Sequence, residues 1–497
     1  MIKHIFIKNI IILMWQCAGM LISIPAFAQY KYDYTWLTGI EKSDLYRQSK
    51  FAFNKDTLEV TLEFLPFAFS ETNSSISDET GNLLLYFNGC DIANGRHEIL
   101  ENGSGFNAGI PGDFECPKNY GYPGPYQSAL ILPRPSQPLS HYVFYIRYDN
   151  LPTKIESSLL YAETDLTTSR GKVLYKDKHA LTDSVVTLAG LTAVKHSNLE
   201  DWWIVMARRY TNRYARLLVT SDGLVEYPDI SIGLDSILSG GQASFSPDGT
   251  KYMRYTPKGL MVMDFDRSEG LLSNFRFLSL VPQGVYFGAT FSPNNRFIYL
   301  SDHTKMYQVD TWDEELNLEL IAEWDGYEFE GWRVLFGMMQ NGPDCRIYVA
   351  SLNCLNFVHI IMNPDEKGVA CNVVQRALEL KSSSCGFPHF PNFRLGTSEP
   401  YCDPDKVVVT GTNLLFEAEE TLKIFPNPST ENITITSDDV MSSVDVYDIH
   451  GNKIAHHITD TFQTNISLLH QNSGVYFVHV RYKNNQQHAV RKIVLIP

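Results

Sequence analysis

Asp264-Phe-Asp266 is the residue pair in this chain best spaced to hold a metal ion. Two carboxylates one residue apart at a strand end point to the same side, and calcium accepts such oxygen ligands. One Asp-x-Asp supplies too few of the six to eight oxygens calcium takes. Aspartate at a strand end also caps the backbone N–H groups of a turn, and that reading of Asp264 and Asp266 is the stronger. Other chemistry is sparse. The chain has no Gly-x-Ser-x-Gly elbow, no His-Glu-x-x-His and no Walker-type Gly-Lys-Ser/Thr. Asn102-Gly-Ser-Gly-Phe-Asn-Ala-Gly109 is glycine-rich but lacks the strand-to-helix setting of a phosphate cradle, so it reads as a loop. Trp202-Trp203, Trp312, Trp324 and Trp332 could form a platform for sugars. Trp202-Trp203 lies in a very apolar run and is expected inside, whereas Trp332 beside Arg333 is the better surface candidate. His97 and His389 stand alone and read as structural or surface groups. No catalytic residue and no cofactor is expected.

The elements that would position such groups begin after a leader. Lys3 and Lys8 precede a mostly apolar run over 10–24, and Ala26-Phe27-Ala28 is a small-x-small site before Gln29. Residues 1–28 therefore read as a secretory signal peptide cut between Ala28 and Gln29. The run is short for the roughly 20 apolar residues of a membrane span. Cys17 follows Trp15-Gln16, where a lipoprotein signal needs small residues, and no later segment is apolar enough to span. The formal charge is −15, and the leader removes two lysines and no acid, which leaves −17. Such a chain repels phosphate backbones and has no basic stripe, so nucleic acid is not an expected partner.

Seven cysteines remain beyond the leader, none in a Cys-x-x-Cys pair, which argues against zinc or thioredoxin-like chemistry. Outside the cytosol two or three disulfides are expected, with at least one thiol left over. Sequence proximity suggests Cys90 with Cys116 and Cys371 with Cys385, while the connectivity stays open.

A repeat fills the middle of the chain. Ala243-Ser-Phe-Ser-Pro-Asp-Gly-Thr-Lys-Tyr252 and Ala289-Thr-Phe-Ser-Pro-Asn-Asn-Arg-Phe-Ile298 match with Pro247 and Pro293 46 residues apart. Asp264 and Asp310 close the following strands at the same spacing, and Pro343 follows Pro293 by 50. Earlier copies start near Ser74, Ser128 and Ala193, and a degenerate one is Phe387-Pro-His-Phe-Pro-Asn-Phe-Arg-Leu395. Short strands at a period in the forties to fifties are the mark of a β-propeller. Ser-Pro-Asp-Gly supplies a proline-set φ and a glycine free to turn. The runs over 83–87, 142–146, 202–206, 297–300 and 347–350 are continuously apolar, as strands buried on both faces are. Seven blades are expected, six recognisable and one closed jointly by strands near 34–37 and 58–65 with 387–395. Six or eight remain open.

The end of the chain reads as an address. Leu422-Lys-Ile-Phe-Pro-Asn-Pro-Ser429, Val444-Asp-Val-Tyr-Asp-Ile-His-Gly-Asn-Lys-Ile454, Gly474-Val-Tyr-Phe-Val-His-Val480 and Arg491-Lys-Ile-Val-Leu-Ile-Pro497 follow in order. They resemble the type A C-terminal sorting domain of the Bacteroidetes type IX secretion system, the motif residues being Phe425, Pro426, Asn427, Pro428, Gly451, Gly474 and Tyr476. Short strands at 433–436, 444–449, 466–469, 474–481 and 490–496, with a turn at His450-Gly451-Asn452, predict a small β-sandwich. The middle resembles a group of secreted Bacteroidetes WD-repeat-like propellers through Gly81-Asn-Leu-Leu-Leu-Tyr-Phe-Asn-Gly-Cys90, Asp201-Trp-Trp203, Gly241-Gln-Ala-Ser-Phe-Ser-Pro-Asp-Gly249, Asp264-Phe-Asp-Arg267 and Pro388-His-Phe-Pro-Asn-Phe-Arg-Leu-Gly396. That group brings no catalytic residues to carry over. The expected layout is a signal peptide over 1–28, an all-β propeller over 29–402, a connector over 403–420 and the sorting domain over 421–497. The resemblance implies passage through the periplasm to the cell surface or beyond, with the type IX machinery as one partner. A complete repeat array without recognisable chemistry points to a non-catalytic module binding an extracellular protein or glycan. The alternative is an extracellular hydrolase, cleaving glycan or peptide, with carboxylates from several blades at the channel mouth.

Overall fold

The computed structural model describes residues 31–40, 47–54, 57–109, 112–118, 121–151, 154–182, 185–237, 240–280, 287–393, 395, 408–410, 413–414, 422–448, 452–483 and 488–496. The signal peptide, its Ala28–Gln29 cleavage site, Cys17, Cys402, Gly451 and most of the connector lie outside them. The described strands of the first four hundred residues form seven blades, over 35–64, 74–104, 129–179, 192–231, 243–279, 289–323 and 336–379 and numbered in that order. A parallel contact between Ile99–Ser104 and Lys172–His179 joins blades 2 and 3 into one eight-stranded sheet. Blade 4 shows the plan: Thr192–Lys195 innermost, then Trp202–Ala207, Arg213–Thr220 and Gly223–Ser231 outward. Blade 5 repeats it with Ala243–Phe245, Lys251–Thr256, Gly259–Asp266 and Leu271–Ser279.

The continuous apolar runs are explained by how their two faces divide. Trp202, Ile204 and Met206 pack into the core shared with blades 1–3, while Trp203, Val205 and Ala207 pack toward blade 5. In blade 5 Tyr252 faces back into that second core, and Met253 and Tyr255 face on toward blade 6. In blade 6, Ile298 and Leu300 face blade 5, whereas Phe297 and Tyr299 face blade 7. A strand alternates faces every second residue, so a strand between two blades must be apolar at every position.

The turns joining first to second strands lie on one face of the wheel, with those joining third to fourth strands. We call this the turn face. In blade 5 the Ser246 hydroxyl donates to Asp248 Oδ1 at 2.6 Å, the same oxygen accepts Thr250 N at 3.0 Å, and Gly249 takes φ +70°. In blade 6 Asn294 accepts the Ser292 hydroxyl at 2.7 Å, and Asn295 adopts φ 67°. Asparagine tolerates that left-handed backbone better than other side chains with a Cβ, which is why Ser-Pro-Asn-Asn can replace Ser-Pro-Asp-Gly.

Blade 1 joins the two ends of the array. Its Thr35–Thr38, Arg47–Phe53 and Thr57–Phe64 are the second, third and fourth strands. Ser75 Oγ donates to Thr35 O at 3.1 Å and Asn73 Nδ2 to Leu37 O at 2.8 Å, so Thr35–Thr38 runs against the inner strand Ser74–Ser77 of blade 2. The innermost position falls to residues 387–393. They form no ladder with Thr35–Thr38, because Pro388 and Pro391 lack the N–H a ladder needs. Phe387 and Phe390 instead pack on Trp36, and Phe393 packs on Trp202 of blade 4. Their spacing of three suits an extended chain with threefold repeat rather than a pleated strand. Two short strands follow. Val408–Thr410 pairs parallel with Thr57–Phe64 of blade 1, and Asn413–Leu414 pairs with Val373–Glu379 of blade 7.

Cys90 is bonded to Cys116, with Cα atoms 5.5 Å apart. Cys385 is bonded to Cys354 and not to Cys371, which is a buried free thiol. Cys371 ends the third-to-fourth-strand turn on the turn face, whereas Cys385 follows Val373–Glu379 on the opposite face. Seven strand residues, roughly 20 Å at about 3.3 Å each, separate the two. Cys354 lies in the turn between the second and third strands of blade 7, on the same face as Cys385. Cys345 is also disulfide-bonded.

The C-terminal residues form a separate small β domain around Ile433, Ile435, Val444, Val446, Val478 and Ile493. Two strands expected as separate pieces, 433–436 and 444–449, are one 17-residue strand, Asn432–Asp448. Its first part pairs with Lys423–Phe425 and its last part with Gly474–Tyr482, with a register break between Thr436 and Met441. Across the break the one strand exchanges Lys423–Phe425 for Gly474–Tyr482 as its neighbour, and Lys453–Ser467 follows it along its whole length.

Candidate functional site in the axial channel

The inner strands enclose a cavity of about 580 Å³ that opens on the turn face. Two buried glutamines from the starts of inner strands close its far end. Gln127, just before blade 3, donates to Ala243 O and accepts from Ala243 N, both at 2.8 Å. Gln242 donates to Met339 O at 3.0 Å and accepts from Met339 N at 2.8 Å and Ala289 N at 3.1 Å. These amides replace the strand partners that radiating inner strands lack, since a buried backbone group needs a partner. They also make the cavity blind.

The wall mixes apolar side chains, among them Phe245, Met339 and Phe390, with polar ones that, among the described residues, are uncharged. Thr192, Ser244, Thr290, Gln340 and Asn341 contribute from blades 4 to 7. The Thr290 hydroxyl donates to Asn341 Oδ1 at 3.1 Å, and Asn341 Nδ2 donates to Phe291 O at 3.0 Å. His389 completes the wall from the 387–393 segment. It is 4% exposed, and neither ring nitrogen has a sound hydrogen-bond partner. Burial pushes its imidazole down to about 4, with only the Leu191 backbone acting the other way. It is therefore neutral at ordinary pH.

Among the described residues charge is confined to the mouth, where the lining includes Asp33, Asp248, Asp365 and Arg267. Asp248 Oδ1 is engaged by its own turn, and its backbone N–H donates to Asn295 Oδ1 at 2.7 Å. Asp365 Oδ1 accepts Asn294 N at 2.9 Å, and burial holds its carboxyl above the usual range. Asn392 Nδ2 reaches the carbonyls of Ser246 and Pro247 at 2.6 and 3.1 Å. Each rim turn is thus braced by a neighbouring element, and the carboxylates of Asp248 and Asp365 serve these turns.

The residues singled out from sequence lie elsewhere, His389 excepted. Asp264 sits 3.4 Å from Lys251 Nζ and 2.6 Å from Asn274 Nδ2, and Asp266 caps Ser268 N at 2.8 Å and the Ser268 hydroxyl at 2.6 Å. Among the described residues no group of three or more His, Cys, Asp or Glu is gathered as a metal site. Trp202 and Trp203 are buried between blades; Trp312 and Trp332 are exposed. In the C-terminal domain Asn427 Nδ2 donates to Lys492 O and its Oδ1 accepts Val494 N, which ties the Phe425-Pro-Asn-Pro428 segment to the last strand. Gly474 opens the strand carrying Tyr476, whose hydroxyl donates to Asn472 O at 2.7 Å. Sequence reasoning missed Gln127 and Gln242. One signal was present: in Gln127-Ser-Ala and Gln242-Ala-Ser the amide stands within two residues of an inner strand that opens on alanine.

Residues 423–496 match the secretion system C-terminal sorting domain. No curated protein matches the chain in sequence. Among solved structures, a proposed 6-phosphogluconolactonase of Bacteroides uniformis is 11% identical, with TM-score 0.45, over 71% of this chain and 98% of its own. PorZ, a surface component of the type-IX secretion system of Porphyromonas gingivalis, is 10% identical, with TM-score 0.32, over 90% of this chain and 63% of its own. A Cps50 (Swd1) β-propeller domain of Myceliophteria thermophila is 9% identical, with TM-score 0.28, over 70% of this chain and 93% of its own. Among the described residues no helix is long and apolar enough to cross a membrane. The chain is a β-propeller protein carrying a type IX C-terminal sorting domain, which marks it for the secretion machinery and for export to the cell surface or beyond.

Proposed function

We propose that the propeller is a non-catalytic binding module displayed or released outside a Bacteroidetes cell, and that its ligand, a glycan or a protein, enters the axial channel. The observation that carries this reading is the lining: uncharged hydrogen-bonding side chains from several blades around a blind cavity. Its volume falls within the roughly 300–1,000 Å³ of small-molecule sites. Hydrolysis would call for a free pair of carboxylates across the cavity, but Asp248 and Asp365 are engaged in holding turns. A phosphorylated sugar is disfavoured because, among the described residues of the lining, Arg267 is the one cation against three aspartates. The reading includes removal of residues 1–28 as a signal peptide, which N-terminal sequencing of the exported protein checks. Purified mature protein should retain a partner on a glycan array or in pull-downs against outer-surface components, without consuming it. Turnover of a defined substrate, with no partner retained, overturns the reading in favour of the hydrolase.

A further inference from the structure

We infer that the axial cavity receives the uncharged end of a glycan chain, whose hydroxyls bond to His389 and to the Thr and Ser hydroxyls of the wall. The inference rests on the binding-module reading above and names its ligand class.

Three observations converge. The cavity is blind, because Gln127 and Gln242 span its far end. A polymer must therefore enter by a terminus, since it cannot thread through. Among the described residues the interior carries no charge, and the charged ones all stand at the mouth. Burying an ion away from a counter-charge is far more costly than burying a hydroxyl that finds a partner. A peptide terminus bears an ammonium or a carboxylate, whereas the end of a neutral glycan bears only hydroxyls. Among the described residues, sulfated and acidic glycan ends would meet Asp33, Asp248 and Asp365 against Arg267 alone.

His389 is the third observation. Buried polar side chains nearly always have a partner, yet neither nitrogen of this imidazole makes a hydrogen bond of good geometry, the Leu191 backbone being a poorly aligned neighbour, while the ring lines the cavity. A neutral imidazole offers one donor and one acceptor. A hydroxyl is itself both, so adjacent sugar hydroxyls satisfy the two nitrogens whichever tautomer is present. The Ser244 and Thr290 hydroxyls add groups of the same kind on the facing inner strands.

The test uses mature protein on an array of glucans, mannans and galactans tethered by the reducing end, beside sulfated and uronic-acid-terminated glycans and a peptide array. Retention is expected on neutral glycans alone. Calorimetric titration with the best-retained neutral oligosaccharide should then show a roughly tenfold loss of affinity in His389→Phe, the size of one good hydrogen bond. The same variant should unfold at an unchanged or higher urea concentration, because it removes an unsatisfied buried group. Thr290→Val at the facing wall should weaken binding in the same direction and provides the readout if His389→Phe does not fold. Trp332→Ala, on the hairpin between blades 6 and 7 at the opposite face, should bind as the parent does. Preference for charged glycans or peptides overturns the inference. So does a ligand whose affinity is indifferent to both wall variants, and that result leaves the binding-module reading standing. Substrate consumption without retention defeats that reading itself.

Discussion

Replacing Gln242 by methionine should destabilise the propeller more than any other single change at the channel. The side chain is 1% exposed, and it serves Met339 O, Met339 N and Ala289 N at 3.0, 2.8 and 3.1 Å. Methionine has nearly the same volume, so the effect of a cavity is small. Three backbone groups of blades 6 and 7 would lose their partner, each at about 1–3 kcal/mol. Burying a thioether in place of an amide returns part of this, which leaves a loss of about 3–6 kcal/mol. That is a large fraction of the roughly 5–15 kcal/mol of net stability typical of a folded chain. Urea unfolding followed by tryptophan fluorescence reads it directly, because Trp36 and Trp202 are fully buried in the shared core. Gln340→Met is the matched control, since the amide of Gln340 makes a single 3.4 Å contact with Asn341 O. A Gln242→Met protein within about 1 kcal/mol of the parent would show that the inner strands do not depend on side-chain amides, and the account of the blind end would fail with it.

His141, His359 and His389 are buried neutral, at about 4, 3 and 4. Each lies below its unfolded value near 6.5, so the unfolded chain takes up protons first as pH falls. Stability should therefore be full above pH 6.5 and decline toward pH 4, by up to about 1.4 kcal/mol per pH unit for each histidine. His389→Phe should flatten the slope by its share, and an unaltered slope in urea midpoints between pH 7 and 5 refutes this. Opening the Cys354–Cys385 bridge, which closes a 31-residue separation, should cost about 3–4 kcal/mol if chain entropy governs. A double Cys354→Ser, Cys385→Ser protein measured in urea checks it, and a shift under 1 kcal/mol counts against the bridge as a closure device. Burial pushes the Cys371 thiol up and out of the reactive range. Alkylation mapped by mass spectrometry should miss it in the native protein and reach it only after denaturation. Deleting residues 422–497 should leave a folded propeller that stays in the periplasm, and unchanged secretion of that truncation defeats the sorting role.

Much of the wheel was legible because its physics is local. A Ser-Pro-Asp-Gly turn announces itself within four residues, and an unbroken run such as Trp202 to Ala207 can be satisfied only between two layers. The sorting segment was legible as ordered motif blocks, although its longest strand was divided in two, because the register break near Met441 has no proline or glycine to mark it. What stayed hidden depends on distant partners. Nothing near Gln242 tells that its amide serves Ala289 and Met339, and Cys385 reads as a neighbour of Cys371 until the blade places them at opposite faces. His389 read as an isolated structural histidine because the wall it completes comes from other blades.

The proline-rich closing segment accounts for the closed ring and for one side of the cavity wall. Had residues 387–393 been an ordinary inner strand, they would have paired with Thr35–Thr38 as the first strand of blade 1. Pro388 and Pro391 withhold two donors from that ladder, so the segment leaves blade 1. His389 N donates to Asn73 O beside blade 2, and Asn392 N donates to Ala193 O in blade 4. The chain thereby crosses the axis, anchored by three phenylalanines instead of by a ladder, and the space left toward blades 5 to 7 opens only on the turn face. His389 is carried into the wall by that crossing. A substitution at Pro388 or Pro391 that restores a donor should pull the segment back toward blade 1, widen the cavity and weaken binding together, whereas Phe390→Leu should loosen the closure and leave the crossing itself in place.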